Sequence, residues 1–349
     1  MTLPSHLDAE AFRRWQAPES MPCIRVIDAH TEGEPLRVLI DGFETEGSNV
    51  LERRHDASRR LDAWRRALMW EPRGHADMYG CVIVPPSSAA SDFGVLFLHN
   101  EGFSTMCGHG IIGVTKVALE TGLMPKTEPE TEIRIETPAG PVTAFAEVHD
   151  GSVGQIRFRN VAAFVDALDR SASVPGLGAV QYDLAFGGAY YAFVSAEKLG
   201  LPCEPTHYNE LVHAGTAIKH AVQATHEIHH PIHPELGFLY GTIFVGPSQN
   251  HHSRHVCVFA NGEVDRCPTG TGVSARLALL FERGQLQLGK TVVIDSILGT
   301  TFSGKIAGPA AVGQQPGIIP EIAGKAWITG VQTLLFDPSD PLKFGFFLR

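Results

Sequence analysis

Along most of the chain, apolar residues occur in short runs separated by glycine, proline and short polar turns. The runs Ile24–Ile27, Leu36–Ile40, Cys81–Val84, Val95–Leu98, Ile133–Glu136, Val142–Glu147 and Ile156–Arg159 are rich in Val, Ile and Phe and predict strands. So do Ala192–Val194, Gly241–Val245, Val256–Phe259, Thr291–Asp295, Phe302–Ile306 and Ala326–Ile328 in the second half. Helical periodicity is rarer and predicts helices over Leu61–Met69, Ile111–Glu120, Tyr208–His226 and Val273–Arg283.

Two of those helices are alike. Cys107-Gly108-His109-Gly110 opens the first, and Thr269-Gly270-Thr271-Gly272 opens the second, 162 residues later. Each opening leads into about ten mostly apolar residues and then a glycine, the usual helix stop. The pattern suggests a duplication with one such helix in each half. The expected organisation is an N-terminal extension over 1–21, a first domain over 22–162 and a second over 163–334. A tail from about 335 to 349 is expected to return to the first domain.

A helix start exposes unpaired N–H groups and partial positive charge, and glycines let a ligand approach them closely. Two such starts facing each other would grip one small anion, such as a carboxylate. A cysteine at a helix start is expected to shift towards the thiolate, and Cys107 alone among the six cysteines directly precedes a Gly-x-Gly opening. The same residue also suits a small core position, since free cysteine packs as a small apolar side chain.

Composition narrows the partners. With 28 basic and 38 acidic residues the formal charge is −10, and there is no long basic run, which disfavours nucleic acid or an anionic membrane surface. No apolar run is long enough to span a bilayer, and the polar start does not read as a secretory signal. The cysteines lack CxxC spacing, which fits reduced thiols in a cytoplasmic protein.

Met106-Cys107-Gly108-His109-Gly110 and Asp265-Arg266-Cys267-Pro268-Thr269-Gly270-Thr271-Gly272 resemble the two catalytic motifs of the proline racemase family. Asp28–Arg37, Glu71–Gly80 and Gly187–Ala192 are similar to further family segments, so the resemblance runs from about Ile24 to the C-terminus. It implies an α+β fold of two similar halves, each a curved, mostly antiparallel sheet around a central helix, with the active site between them. It also implies a small imino acid substrate, no cofactor and no metal, and it leaves a homodimer open. Racemases and 4-hydroxyproline epimerases of the family use a cysteine at each helix start. Here the second is Thr269, too weak an acid or base for that role, and the Cys–Thr pattern resembles the branch that dehydrates trans-3-hydroxy-L-proline. By this resemblance Cys107 and Thr269 are the catalytic positions. Gly108, His109, Gly270 and Thr271 bind the carboxylate, and Asp265 holds the ring ammonium.

Three features stand beside this reading. Glu32 occupies a turn position where glycine is common in the family. Cys267 is a candidate displaced second base, which would make the protein a 4-hydroxyproline epimerase or proline racemase, although Pro268 should turn its side chain away. His226-Glu227-Ile228-His229-His230 spells the HExxH zinc signature, which needs an uninterrupted helix that Pro231 argues against.

Overall fold

The structure, a computed structural model, describes residues 8–348. The first seven residues of the expected extension lie outside them. The described part of the extension carries α1 (Ala9–Arg14), capped by the Asp8 carboxylate on the N–H groups of Glu10 and Ala11.

The first half contains β1 (Cys23–Thr31), β2 (Glu34–Asp41), α2 (Val50–Arg60), α3 (Asp62–Met69), β3 (Tyr79–Val84), β4 (Phe93–His99), β5 (Phe103–Ser104), α4 (Gly108–Glu120), β6 (Glu130–Thr137), β7 (Gly140–His149) and β8 (Ser152–Arg159). The second contains β9 (Phe164–Val174), β10 (Gly178–Phe186), β11 (Tyr190–Ser195), α5 (Tyr208–Thr225), β12 (Leu239–Gly246), β13 (Ser253–Phe259), β14 (Glu263–Val264), α6 (Gly270–Glu282), β15 (Thr291–Asp295), β16 (Thr301–Val312) and β17 (Gln315–Gly324). β18 (Ala326–Leu335) follows.

The pairings repeat strand by strand. β1–β2, β3–β4, β4–β5, β6–β7 and β7–β8 are antiparallel, and β2–β3 and β4–β6 are parallel. β10–β11, β12–β13, β13–β14, β15–β16 and β16–β17 reproduce the antiparallel set, and β11–β12 and β13–β15 the parallel one. The halves join where β8 pairs with β17. Each half also hands one strand to the other: β9, following β8, lies along β10, and β18, following β17, lies along β1. The chain therefore returns to the first half at Ala326. The tail beyond it continues on the same side, with Phe336 and Phe344 against Trp64 and Phe346 bridging to Glu71.

α4 and α6 are buried on nearly all sides, as expected of helices that are apolar all round. They share one core cluster that includes Ile111, Ile112, Val117, Val273, Leu277 and Leu280. Smaller cores lie under α2 and α3 in the first half and under α5 in the second. The four predicted helices are present, each with its ends shifted by less than a turn. α2 is additional: its sequence is mostly charged, and only Val50 and Ala57 are buried.

α5 ends at Thr225, so His226–His230 is not helical. His226 pairs with Asp166 and His229 with its neighbour Glu227, and no metal-holding group of His, Cys, Asp or Glu occurs among the described residues. The zinc reading fails because the signature needs a continuous helix to set its two histidines one turn apart on one face, and that helix ends before them.

Candidate active site

The two Gly-x-Gly openings meet. A β-carbon on Gly108 would stand 2.6 Å from the Gly270 Cα, and one on Gly270 would stand 2.7 Å from the Gly108 Cα. No other residue permits that approach, so the starts of α4 and α6 face each other at one buried point. The N–H groups of Gly108, His109, Gly270 and Thr271 have no intrahelical acceptor, being in the first turn. Together with the helix dipoles they suit a carboxylate.

The two caps differ. Cys107 is extended (φ −144°), and its Sγ accepts the Gly110 N–H at 3.2 Å, taking the place of the usual oxygen cap. Thr269 makes no cap bond and has φ +67°, ψ 95°, a left-handed backbone that a β-branched residue adopts only under strain. Its hydroxyl instead donates to the Asp265 carboxylate.

Around the thiol, the His109 Nδ1 is 3.2 Å from Sγ. The imidazole has a second partner in the Pro35 carbonyl, and burial lowers its pKa to about 3, so the ring is neutral. The Tyr79 hydroxyl reaches Sγ and also lies 2.6 Å from the Ser104 Oγ. Burial pushes the Cys107 thiol well above its ordinary range, and Asp265 and Glu34 push the same way, while the Gly110 N–H opposes them. The expectation that the helix start would favour the thiolate is therefore corrected. Desolvation and nearby carboxylates outweigh one N–H and a half-charge.

On the other side, burial raises Asp265 to about 7, against the Thr269 hydroxyl and the Arg266 guanidinium. Arg266 bridges to Asp77 at 3.1 Å, and its backbone N–H donates to Glu34. Thr271 Oγ1 lies 2.6 Å from the Tyr191 hydroxyl. Cys267 is buried, and its Sγ accepts the Thr269 N–H at 3.4 Å; burial keeps it a thiol.

All seven candidate residues thus converge. Tyr79, Tyr191, Glu34 and Tyr240, whose hydroxyl lies 3.5 Å from that of Tyr79, were not singled out in the sequence, although Glu34, Tyr79 and Tyr191 fall in its family-like segments. Their signal is a polar group inside a strand that otherwise reads as core. Glu32 and Gly33, both at positive φ (49° and 98°), make the two-residue turn joining β1 to β2. The Glu32 carboxylate accepts the Lys325 N–H at 3.0 Å.

A duplicated fold that brings two helix starts, a thiol and a carboxylate to one buried point defines an enzyme for a small zwitterion. The chain belongs to the family described as Proline racemase, whose profile matches residues 26–347. It is 43% identical over 347 residues to the trans-3-hydroxy-L-proline dehydratase of Colwellia psychrerythraea, covering 98% of each chain. It is 44% identical over 337 residues to the human trans-3-hydroxy-L-proline dehydratase, covering 94% of this chain and 95% of that one. A hydroxyproline epimerase from Agrobacterium vitis, solved with bound trans-4-hydroxy-L-proline, superposes with a TM-score of 0.88 at 31% identity, covering 94% and 96%. No helix among the described residues is long and apolar enough to cross a membrane.

Proposed function

We propose that this chain is a hydro-lyase that dehydrates trans-3-hydroxy-L-proline, giving an enamine that tautomerises to 1-pyrroline-2-carboxylate. The observation that carries this reading is the asymmetry of the two helix starts. One presents a thiol able to exchange a proton, and the other a hydroxyl already committed to Asp265.

The substrate carboxylate lies between the N–H groups of Gly108–His109 and Gly270–Thr271, and Asp265 holds the ring ammonium. That cation lowers the cost of ionising the buried thiol, which then removes the α-proton. In this substrate the hydroxyl is trans to the carboxylate, so it lies on the face that carries the α-proton. Cys107 can return the proton to the departing hydroxyl, and water leaves by syn elimination. Neutral His109, at 3.2 Å, accepts from the resting thiol and steadies it. Thr269 holds Asp265 in place. The free cysteines fit a reducing compartment, and we place the enzyme in the cytoplasm.

The test is proton NMR of the purified protein in deuterated water with trans-3-hydroxy-L-proline, trans-4-hydroxy-L-proline and L-proline in parallel. Pyrroline-2-carboxylate from the 3-hydroxy substrate alone supports the proposal. Epimerised 4-hydroxyproline or racemised proline would show a second competent base, and Cys267 would be the residue to replace.

A further inference from the structure

Glu34 is the residue in this site that the reaction above does not use. It opens β2 directly after the Glu32–Gly33 turn and is 0% exposed. One carboxylate oxygen accepts the N–H of Arg266, the peptide adjoining Asp265, and the other, Oε1, is buried without a partner. Glu263, on β14, is also fully buried, with its nearest cationic candidate, the His99 Nδ1, at 3.5 Å. The guanidinium of Arg266 is shared with Asp77. Glu34, Glu263 and Asp265 therefore crowd one dry region in which Arg266 is the permanent cation beside Glu34 and Asp265, while Lys219 lies near Glu263 and Cys257. The other titratable groups near Glu34 are Cys107, Cys257, Cys267 and Tyr208, none of which supplies positive charge.

Like charges in a low-dielectric site do not all ionise, so such a group keeps a proton. We infer that Glu34 and Asp265 together hold one proton in the free enzyme, on one carboxyl or the other, and release it to solvent when the cationic imino acid binds. This rests on the proposed placement of the ring ammonium at Asp265. The directions agree: burial raises Glu34, and Asp265 raises it further. On binding, that carboxyl O–H bond breaks and its proton passes to buffer. The ligand nitrogen keeps its own two protons. Glu34 is a positioning residue in this scheme. It sets the charge on the pair, so the site takes a cation rather than a neutral amine.

The experiment is calorimetric titration of trans-3-hydroxy-L-proline into Cys107→Ala, which removes both turnover and thiol ionisation as proton sources. Titrations at pH 6.5 are run in two buffers of different ionisation enthalpy. The expected result is net proton release in this variant and a smaller release in Cys107→Ala/Glu34→Gln. Binding without proton release in Cys107→Ala overturns the inference whether or not the double variant folds, and equal release in a folded double variant does so too. Failure of both the wild type and Cys107→Ala to bind any imino acid would instead overturn the reading of the site, and the inference with it.

Discussion

The Thr269 hydroxyl donates to the Asp265 carboxylate, so the residue at the second helix start spends its only side-chain proton on a buried acid four residues earlier. Cys107, at the matching start, has its sulfur bonded to its own helix and open to His109. The duplication supplies two equivalent positions, and the side chains make them unequal. One can move a proton, and the other orients the group that holds charge.

Replacing Cys107 with Ser should reduce turnover of trans-3-hydroxy-L-proline by about two to four orders of magnitude, the usual worth of an essential acid–base group. A hydroxyl can still cap the Gly110 N–H, so the melting temperature should change little. Steady-state kinetics beside a thermal melt would check this; near-wild-type kcat would remove Cys107 from the mechanism.

Asp265 predicts the pH dependence. Burial raises it to about 7, and the proposed substrate site needs it ionised. kcat/KM should therefore rise with pH through about 7 and flatten above. Stability runs the other way. A carboxyl whose folded pKa exceeds its unfolded value binds more protons folded than unfolded, so its contribution is full below about 4 and is lost as pH rises through about 7. Asp265→Asn should remove the activity and also this slope in stability. The check is a kcat/KM profile with urea melts across pH 4–8.

Thr269→Val keeps the shape and removes the hydroxyl. Losing one hydrogen bond to a buried carboxylate costs about 1–3 kcal/mol, so kcat/KM at neutral pH should fall about 10- to 100-fold. The acid limb should also move to higher pH, because the Thr269 hydroxyl is a group that holds the Asp265 pKa down. An unmoved limb would separate Thr269 from Asp265.

Gly270→Ala tests the contact between the helix starts. Its β-carbon would lie 2.7 Å from the Gly108 Cα, a backbone atom that cannot swing aside. Overpacking of this kind costs about 1–3 kcal/mol. We expect a lower melting temperature, and activity lost out of proportion to it, since the carboxylate donors move apart. Full activity would show that the starts have room to spare.

Much of this was legible in the sequence because it rests on local rules. The Gly-x-Gly openings, the apolar runs behind them and the glycines closing them predict α4 and α6 and their likeness. The harder elements depend on distant partners. α2 is too charged to reveal itself by periodicity, and it stands by its Asn49 cap and two buried residues. The HExxH spelling is weighed against Pro231 in the sequence, and the predicted helix end at His226 lies one residue past the end of α5.

The sequence by itself determined the repeated helix openings, the Cys–Thr difference between them and the absence of a competing basic or membrane-spanning segment, because these lie in residue type and spacing. Only the tertiary structure decided that Gly108 touches Gly270, that β9 and β18 are exchanged between the halves, and that Thr269 turns to Asp265. It also set burial against the expected thiolate at Cys107. A helix start favours a thiolate through a few N–H groups close in sequence, whereas desolvation and the carboxylates of Asp265 and Glu34 act through space, from chain segments that only folding brings together.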